Sequence, residues 1–437
     1  MRGVENQRLR SLLAVSLGNG LEMYDFTVFA LFAIQIGKAF FPSHDPRTSL
    51  LAAFATFGAG FLTRPLGAFV LGRLGDRRGR GPAMVLSMAL MGLAVTMLAL
   101  CPGYARIGLA APLVALTARL LQGFALGGEV GPATAYLLEC APLHRRAVYV
   151  AVQRGTQLVA NICGAVIGVV LASLLSPEAF GTIGWRIAVG IGAVVAPFAL
   201  YMRRNVPEPP AEPAALPCPG PALAPAVSAA SLWRTAAACC LVGAGGTISA
   251  YVLSYMVTFG QADLHLPARV ALAAQTAGCA AGLVAVFGGA MMSDRWGRRR
   301  LILLANLLAA ALVPLVFLAL LQAPRPAEFI LATAAVGALL NFGTGAVITV
   351  STESFPRHVR STATALAYTV PVTVFGGTTQ FAVAWLIGAT GSAMVPALYA
   401  AAALLLSSLA LLFLRETAPV RLGLLSNRNE VPLGAHV

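Results

Sequence analysis

Twelve apolar runs follow one another through this chain with only short polar breaks between them. They cover approximately 10–37, 48–72, 81–101, 107–138, 147–175, 184–202, 231–259, 267–292, 301–322, 327–351, 359–388 and 393–414. A bilayer core about 30 Å thick takes about 20 residues of helix, and each run supplies about that length or more. The runs therefore predict an all-α integral membrane protein with twelve transmembrane helices. Composition agrees, since 58% of the residues are hydrophobic and 11% charged, against roughly 25% charged in soluble domains. The first run is too long for a signal peptide and lacks a small-residue cleavage pattern, so the N-terminus is expected to be retained.

The formal charge of +14 comes from 30 basic and 16 acidic residues. Basic residues cluster in short breaks between runs, without the aromatic interleaving or fold signature of a nucleic-acid binder. Breaks joining even to odd runs, together with the two tails, hold 21 of the 30. The opposite breaks hold Lys38, Arg47, Arg106, Arg186, Arg269 and Arg325, and three arginines (Arg64, Arg119, Arg154) fall inside runs. Positive charge accumulates on the cytoplasmic side, which places both tails in the cytoplasm.

Asn205 to Ser231 carries eight prolines from Pro207 to Pro225, the composition of an extended, unpacked segment. It divides the chain into 1–204, a linker at 205–230, 231–415 and a tail at 416–437. The halves echo each other. GRLGDRRGR at 72–80 returns as AMMSDRWGR at 290–298, and ECAPLHRR at 139–146 returns as ESFPRHVR at 353–360, offsets of 218 and 214. Two nearly equal offsets indicate a duplicated six-helix unit. Transporters built from two such halves bind substrate at mid-membrane between them.

The first run carries two carboxylates, Glu22 and Asp25, spaced three apart and so on one helix face. A charge at mid-bilayer costs about 2.5–3.5 kcal/mol on insertion scales. That face is expected to look at a partner cation, a water-filled cavity, or both. Asp25 and Arg119 fall near the centres of the first and fourth runs, so they can sit at equal depth. Ionised Asp25 would attract Arg119, and protonation would release it; a permanent structural ion pair is the alternative. Glu129, after Gly127-Gly128, and Glu22 are alternative proton carriers or structural acceptors.

Arg154, Gln157 and Asn161 form a polar stripe on the fifth helix. A guanidinium fork grips a carboxylate with two bonds, which makes Arg154 the residue that points to an anionic substrate. The alternative is a fixed pair with Glu129 or Glu139. The second half offers neutral groups: Tyr251 and Tyr255, Gln275 and Thr276, Asn341 and Thr344, Tyr368 and Gln380. Each is a candidate ligand for substrate or a helix–helix contact.

Arg64-x-x-Gly67 followed by Gly72-Arg73-x-Gly75-Asp76-Arg77-Arg78-Gly79-Arg80 resembles the cytoplasmic loop motif of the major facilitator superfamily, and Arg119 to Gly123 resembles its fourth-helix motif. GNGLEMYDF at 18–26, RLLQGFALGGEVG at 119–131 and TVFGGTTQF at 373–381 are similar to the metabolite–proton symporter branch. The Gln153 and Gln157 spacing and Arg203-Arg204 look most like citrate and tricarballylate symporters. Departures are Met23 in place of Trp, Thr369 in place of Asn, a missing Pro near Gln380, and Met291 and Ser293 in the second loop motif.

The resemblance implies the major facilitator fold, two six-helix bundles with pseudo-twofold symmetry. It implies proton coupling at Asp25 and Arg119. It also implies a charge network that closes the inward gate, formed by Arg64, Asp76, Arg77, Arg80, Glu139, Arg145, Arg146, Asp294, Arg295, Arg298, Glu353 and Arg360. The alternative for these residues is a simple topology signal, but positive-inside asks nothing of Asp76 or Asp294. No Walker A loop or catalytic triad is present, so neither ATP nor an enzymatic step is expected. The seven cysteines (101, 140, 163, 218, 239, 240, 279) show no CxxC pair and imply no disulfide frame or metal site.

The sequence thus predicts a monomeric, multi-pass protein of a bacterial inner membrane that symports a small organic anion with protons by alternating access. It uses no cofactor beyond the proton gradient. A symporter of a zwitterionic osmolyte such as betaine or proline, an exporter, and a sensor without flux are the other readings.

Overall fold

The computed structural model describes residues 20, 23–78, 80–128, 130–193, 229–322, 325–356 and 359–422, and helix occupies part of each of the twelve apolar runs. In chain order the first helices are α1 (Met23–Leu31), α2 (Ala33–Phe40), α3 (Pro46–Leu62), α4 (Arg64–Arg78), α5 (Arg80–Leu100) and α6 (Tyr104–Ile107). There follow α7 (Ala110–Ala125), α8 (Val130–Cys140), α9 (Arg146–Leu174), α10 (Pro177–Ala179) and α11, residues 185–193. After the proline-rich segment come α12 (Ala229–Ala262), α13 (Ala268–Trp296), α14 (Arg298–Gln322) and α15 (Pro326–Asn341). The last are α16 (Thr344–Glu353), α17 (Arg360–Pro371), α18 (Gly377–Thr390) and α19 (Val395–Leu411). No strand occurs among the described residues.

Among the described residues seven helices are long and apolar enough to cross a bilayer, and an eighth joins them if α1 and α2, bent by 73° at Phe32, count as one span. Other runs carry irregular turns without so sharp a bend. Thr63 separates α3 from α4, Gly343 separates α15 from α16, and a π-helical turn at Val372–Gly376 follows Pro371. Such turns leave backbone groups out of the regular ladder and are tolerated in a membrane where they lie inside protein.

The outer surface is apolar. Leu100, Leu174 and Phe413 are 76%, 77% and 83% exposed, while Arg119 and Arg298 are fully enclosed. A chain that puts leucine outside and arginine inside is built for lipid.

Small residues set the helix spacing. Gly60 of α3 and Gly123 of α7 meet backbone to backbone, leaving no room for a Cβ. Gly278 of α13 and Gly337 of α15 do the same. These glycines are separated by 218 and 214 positions, the two offsets of the sequence echoes. The two halves therefore repeat a helix contact as well as a loop motif. They face each other through α9 against α13, α3 against α18, and α8 against α17.

Most of the proline-rich linker lies outside the described residues, and helix already begins at Ala229. The tail expected from 416 begins with a docked segment. Glu416 accepts the backbone N–H groups of Arg298 and Arg299 at 2.9 and 3.1 Å, and Arg421 Nε donates to Trp296 O at 3.0 Å. The free N–H groups at the start of α14 attract a carboxylate, which holds the chain there.

Candidate functional site: a cavity between the two halves

A cavity of about 120 Å³ lies between the halves. From the first half it takes Met23, Phe26, Thr27 and Ala30 of α1, at i, i+3, i+4 and i+7, and Arg154, Gln157, Leu158 and Asn161 of α9 at the same spacing. Each set is one face of a helix. From the second half come Tyr251 of α12, Gln275 and Cys279 of α13, Thr344 of α16, and Thr364 and Tyr368 of α17, among others.

Arg154 is the only charged side chain in this lining among the described residues. Its Nε donates to Asn341 Oδ1 at 3.0 Å and its Nη1 to Gln157 Oε1 at 3.1 Å. Gln157 Nε2 donates in turn to the Tyr368 hydroxyl at 3.2 Å, and Asn161 Nδ2 to Gln157 O at 2.8 Å. This network joins α9 to α15 and α17, and so one half to the other. Among the described residues no carboxylate lies within ion-pair distance of Arg154. Glu139 is taken by Arg360 at 3.1 Å, and Glu129 lies outside the described residues. Neutral amides orient the guanidinium without cancelling its charge.

Six of the other proposed ligands meet at this site: Gln157, Asn161, Tyr251, Gln275, Thr344 and Tyr368. Asn341 reaches it through Arg154. Tyr255 and Gln380 do not line it. Tyr255 packs on Phe54, with ring centroids 5.9 Å apart, and Gln380 is buried. Thr276 spends its hydroxyl on Leu272 O of its own helix. Phe26 was not foreseen. Its place in the i, i+3, i+4, i+7 set from Met23 is the sequence signal that could have found it.

Asp25 and Arg119 depart from expectation. Both are buried, yet no ion pair joins them, and neither lines the cavity. Helical phase keeps Asp25 out of the cavity. The cavity face of α1 is 23, 26, 27 and 30; Asp25, two residues from Met23, falls about 200° away. Asp25 Oδ1 points at α11, where Gly192 leaves it room, and neighbouring Tyr24 donates its hydroxyl to Ala188 O at 2.9 Å. Arg119 instead lies over the Phe29 ring at 3.7 Å and the Phe26 ring at 5.4 Å, and none of its three nitrogens donates to an acceptor among the described residues. Aromatic faces attract a cation this way. Glu22 lies outside the described residues.

The arginine-rich end is bound shut across the halves. Asp294 of α13 accepts the N–H groups of Ala147 and Val148 at the start of α9, at 3.1 and 3.3 Å. It also takes Arg298 at 2.6 Å. Arg298 bridges to Glu353 at 3.3 Å, Arg146 reaches Glu353 at 3.7 Å, and Arg360 reaches Glu139. Arg77, Arg145 and Arg295 are exposed. The side chains of Asp76 and Arg80 lie outside the described residues. Arg64 lies among aromatic rings of α1 and α3. It is buried, with its guanidinium 4.4 Å from the Phe61 ring and 4.8 Å from the Phe26 ring, because four aromatic rings of α1 and α3 gather there.

At the opposite end Gln35 Nε2 donates to Gln261 Oε1 at 3.2 Å, again across the halves. Asp263 follows α12 nearby. Burial raises its carboxyl above the ordinary range, while Arg47 and His265 pull it back.

The family model of the Major Facilitator Superfamily matches residues 15–370. The chain belongs to that superfamily. It is 34% identical over 419 residues to a citrate-proton symporter of Klebsiella pneumoniae, covering 95% of this chain and 94% of that one. It is 28% identical to a proline/betaine transporter of Salmonella typhimurium, covering 95% and 85%. The crystal structure of a D-xylose-proton symporter superposes with a TM-score of 0.73 at 17% identity, covering 94% of this chain and 98% of that one, which is a likeness of fold. This major facilitator is therefore a multi-pass membrane transporter and not an enzyme. The cavity between its halves stands where such proteins hold their cargo.

Proposed function

We propose that this chain carries a small organic anion, a di- or tricarboxylate such as citrate, together with protons by alternating access. The observation that carries the reading is Arg154, the one charged group in the cavity wall among the described residues, held by neutral amides with no acid beside it. The citrate-proton symporter relative supports the same substrate class. Twelve helices in two bundles, 1–204 and 231–415, a cytoplasmic linker and tail, a bacterial inner membrane and a monomeric state complete the proposal. The proton gradient is its energy source, with no cofactor.

Coupling belongs to Asp25 and Arg119, with Glu22 and Glu129 as the other candidate carriers. Phe26 is the link: it follows Asp25 in the chain, lies beside Arg119, and lines the cavity. Separated Asp25 and Arg119 correspond to the protonated carboxyl. Loss of the proton draws Arg119 off the aromatic rings and turns α1 against the cavity.

A zwitterionic osmolyte is the second reading. Phe26, Phe57, Tyr251 and Tyr368 line the same cavity, and aromatic faces suit a quaternary ammonium. Uptake of labelled citrate, a dicarboxylate and betaine into vesicles, with and without a pH gradient, separates the readings. Gradient-driven carboxylate uptake supports the first. Betaine uptake alone replaces it with the second, and no flux of any of the three leaves a sensor.

A further inference from the structure

Two polar atoms in the cavity wall have no protein partner among the described residues. Gln275 on α13 is fully enclosed, and its Oε1 accepts no hydrogen bond. Its Nε2 donates to Cys279 Sγ, one turn on, at 3.3 Å. The Thr364 hydroxyl on α17 is likewise buried and unpartnered. The same helix α13 also runs past the Arg154 network. A Cβ added at Gly282 would lie 2.8 Å from Asn341 Nδ2, and Asn341 is the residue that holds Arg154 Nε. The unpaired acceptor of Gln275, from the second half, and the cation of Arg154, from the first, thus line one cavity.

A buried carbonyl oxygen without a donor is costly, and native structures seldom keep one without a use. The carboxylate that Arg154 grips brings only acceptors. The donor must come from another group of the same substrate. An ammonium would put a second positive charge into a cavity that has no acid in its described lining. A hydroxyl brings a donor and no charge.

We propose that the cavity selects a hydroxylated carboxylate, whose hydroxyl donates to Gln275 Oε1 while a carboxylate takes Arg154. The inference rests on the organic-anion reading and narrows it. Gln275 becomes the residue that sets specificity. A site built to bond a hydroxyl discriminates strongly against the analogue that lacks it, because its own polar group is then left unpaired.

Two substrate pairs that differ by one hydroxyl test this in proteoliposomes: malate against succinate, and citrate against propane-1,2,3-tricarboxylate. The wild-type protein prefers the hydroxylated member by at least about tenfold in apparent KM. Gln275→Leu brings that ratio to within about threefold, as does Gln275→Met. The ratio does not depend on how much protein is reconstituted, and the wild-type ratio stands by itself should both variants fail to reach the membrane. A wild-type ratio near one, or a ratio unchanged by either substitution, overturns the proposal and leaves the anion reading intact. Uptake of none of the four acids overturns both.

Discussion

The carboxylate of Asp294 on α13 accepts the backbone N–H of Ala147 at the start of α9, 3.1 Å away. One acid from the second half thereby caps a helix of the first. It also holds Arg298, which in turn holds Glu353. Opening this end requires both helix ends to part, so Asp294 stabilises the closed arrangement. Removing one partner of a buried pair costs about 3–5 kcal/mol. Asp294→Ala is expected to open the arginine-rich end. A cysteine placed at Val150, buried one turn inside α9, will then react with a membrane-impermeant thiol reagent at least about tenfold faster than in the parent. An unchanged rate would remove Asp294 from the gate.

Asp25→Asn is expected to abolish accumulation driven by a proton gradient while sparing exchange of pre-loaded substrate. An amide of nearly the same shape keeps the packing beside Gly192 but cannot cycle a proton. Counterflow and net uphill uptake, measured on one preparation, separate the two. Uphill uptake that survives would give the proton to Glu22 or Glu129.

Arg154→Ala is expected to raise the apparent KM for a carboxylate by at least about tenfold, since a charged hydrogen bond contributes ~1.5–3 kcal/mol. Arg154→Lys will restore part of the loss, because it returns the charge without the two-pronged geometry. Protein level in the membrane is the control. An equal fall in level and affinity would make the Asn341 and Gln157 bonds structural alone.

Asp263 has a folded-state carboxyl raised by burial. A group raised on folding favours the folded state below its unfolded value and loses that favour as pH rises through the folded value. Its cost is therefore present at neutral pH and absent well below about 4, where the unfolded group is protonated too. Asp263→Asn should raise the melting temperature at pH 7 and leave it unchanged at pH 3. Melting curves of the detergent-solubilised protein at the two values check this. A lower melting temperature at pH 7 would make the Arg47 attraction the larger effect.

The parts legible in the sequence were those set by periodicity. Arg154, Gln157 and Asn161 read as one stripe and do line the cavity. The loop echoes foretold a repeat that the Gly60–Gly123 and Gly278–Gly337 contacts now show in the packing. What failed was phase between helices. Asp25 and Arg119 are both buried, but sequence does not say that α1 turns Met23, Phe26 and Thr27 to the cavity and Asp25 away from it. The same limit applied to Tyr255, which is one turn from Tyr251 and packs on Phe54. Aromatic shielding of Arg64 and Arg119 was also invisible, because Phe26, Phe29, Phe57 and Phe61 come together only in three dimensions.

Proton movement alongside the anion tests the central claim most directly. Citrate is added outside proteoliposomes that carry no imposed gradient, and external pH is followed with labelled uptake in the same vesicles. Symport predicts that the medium becomes more alkaline in step with citrate entry, and that Asp25→Asn loses the pH signal. Citrate entry with no change in external pH would contradict the account.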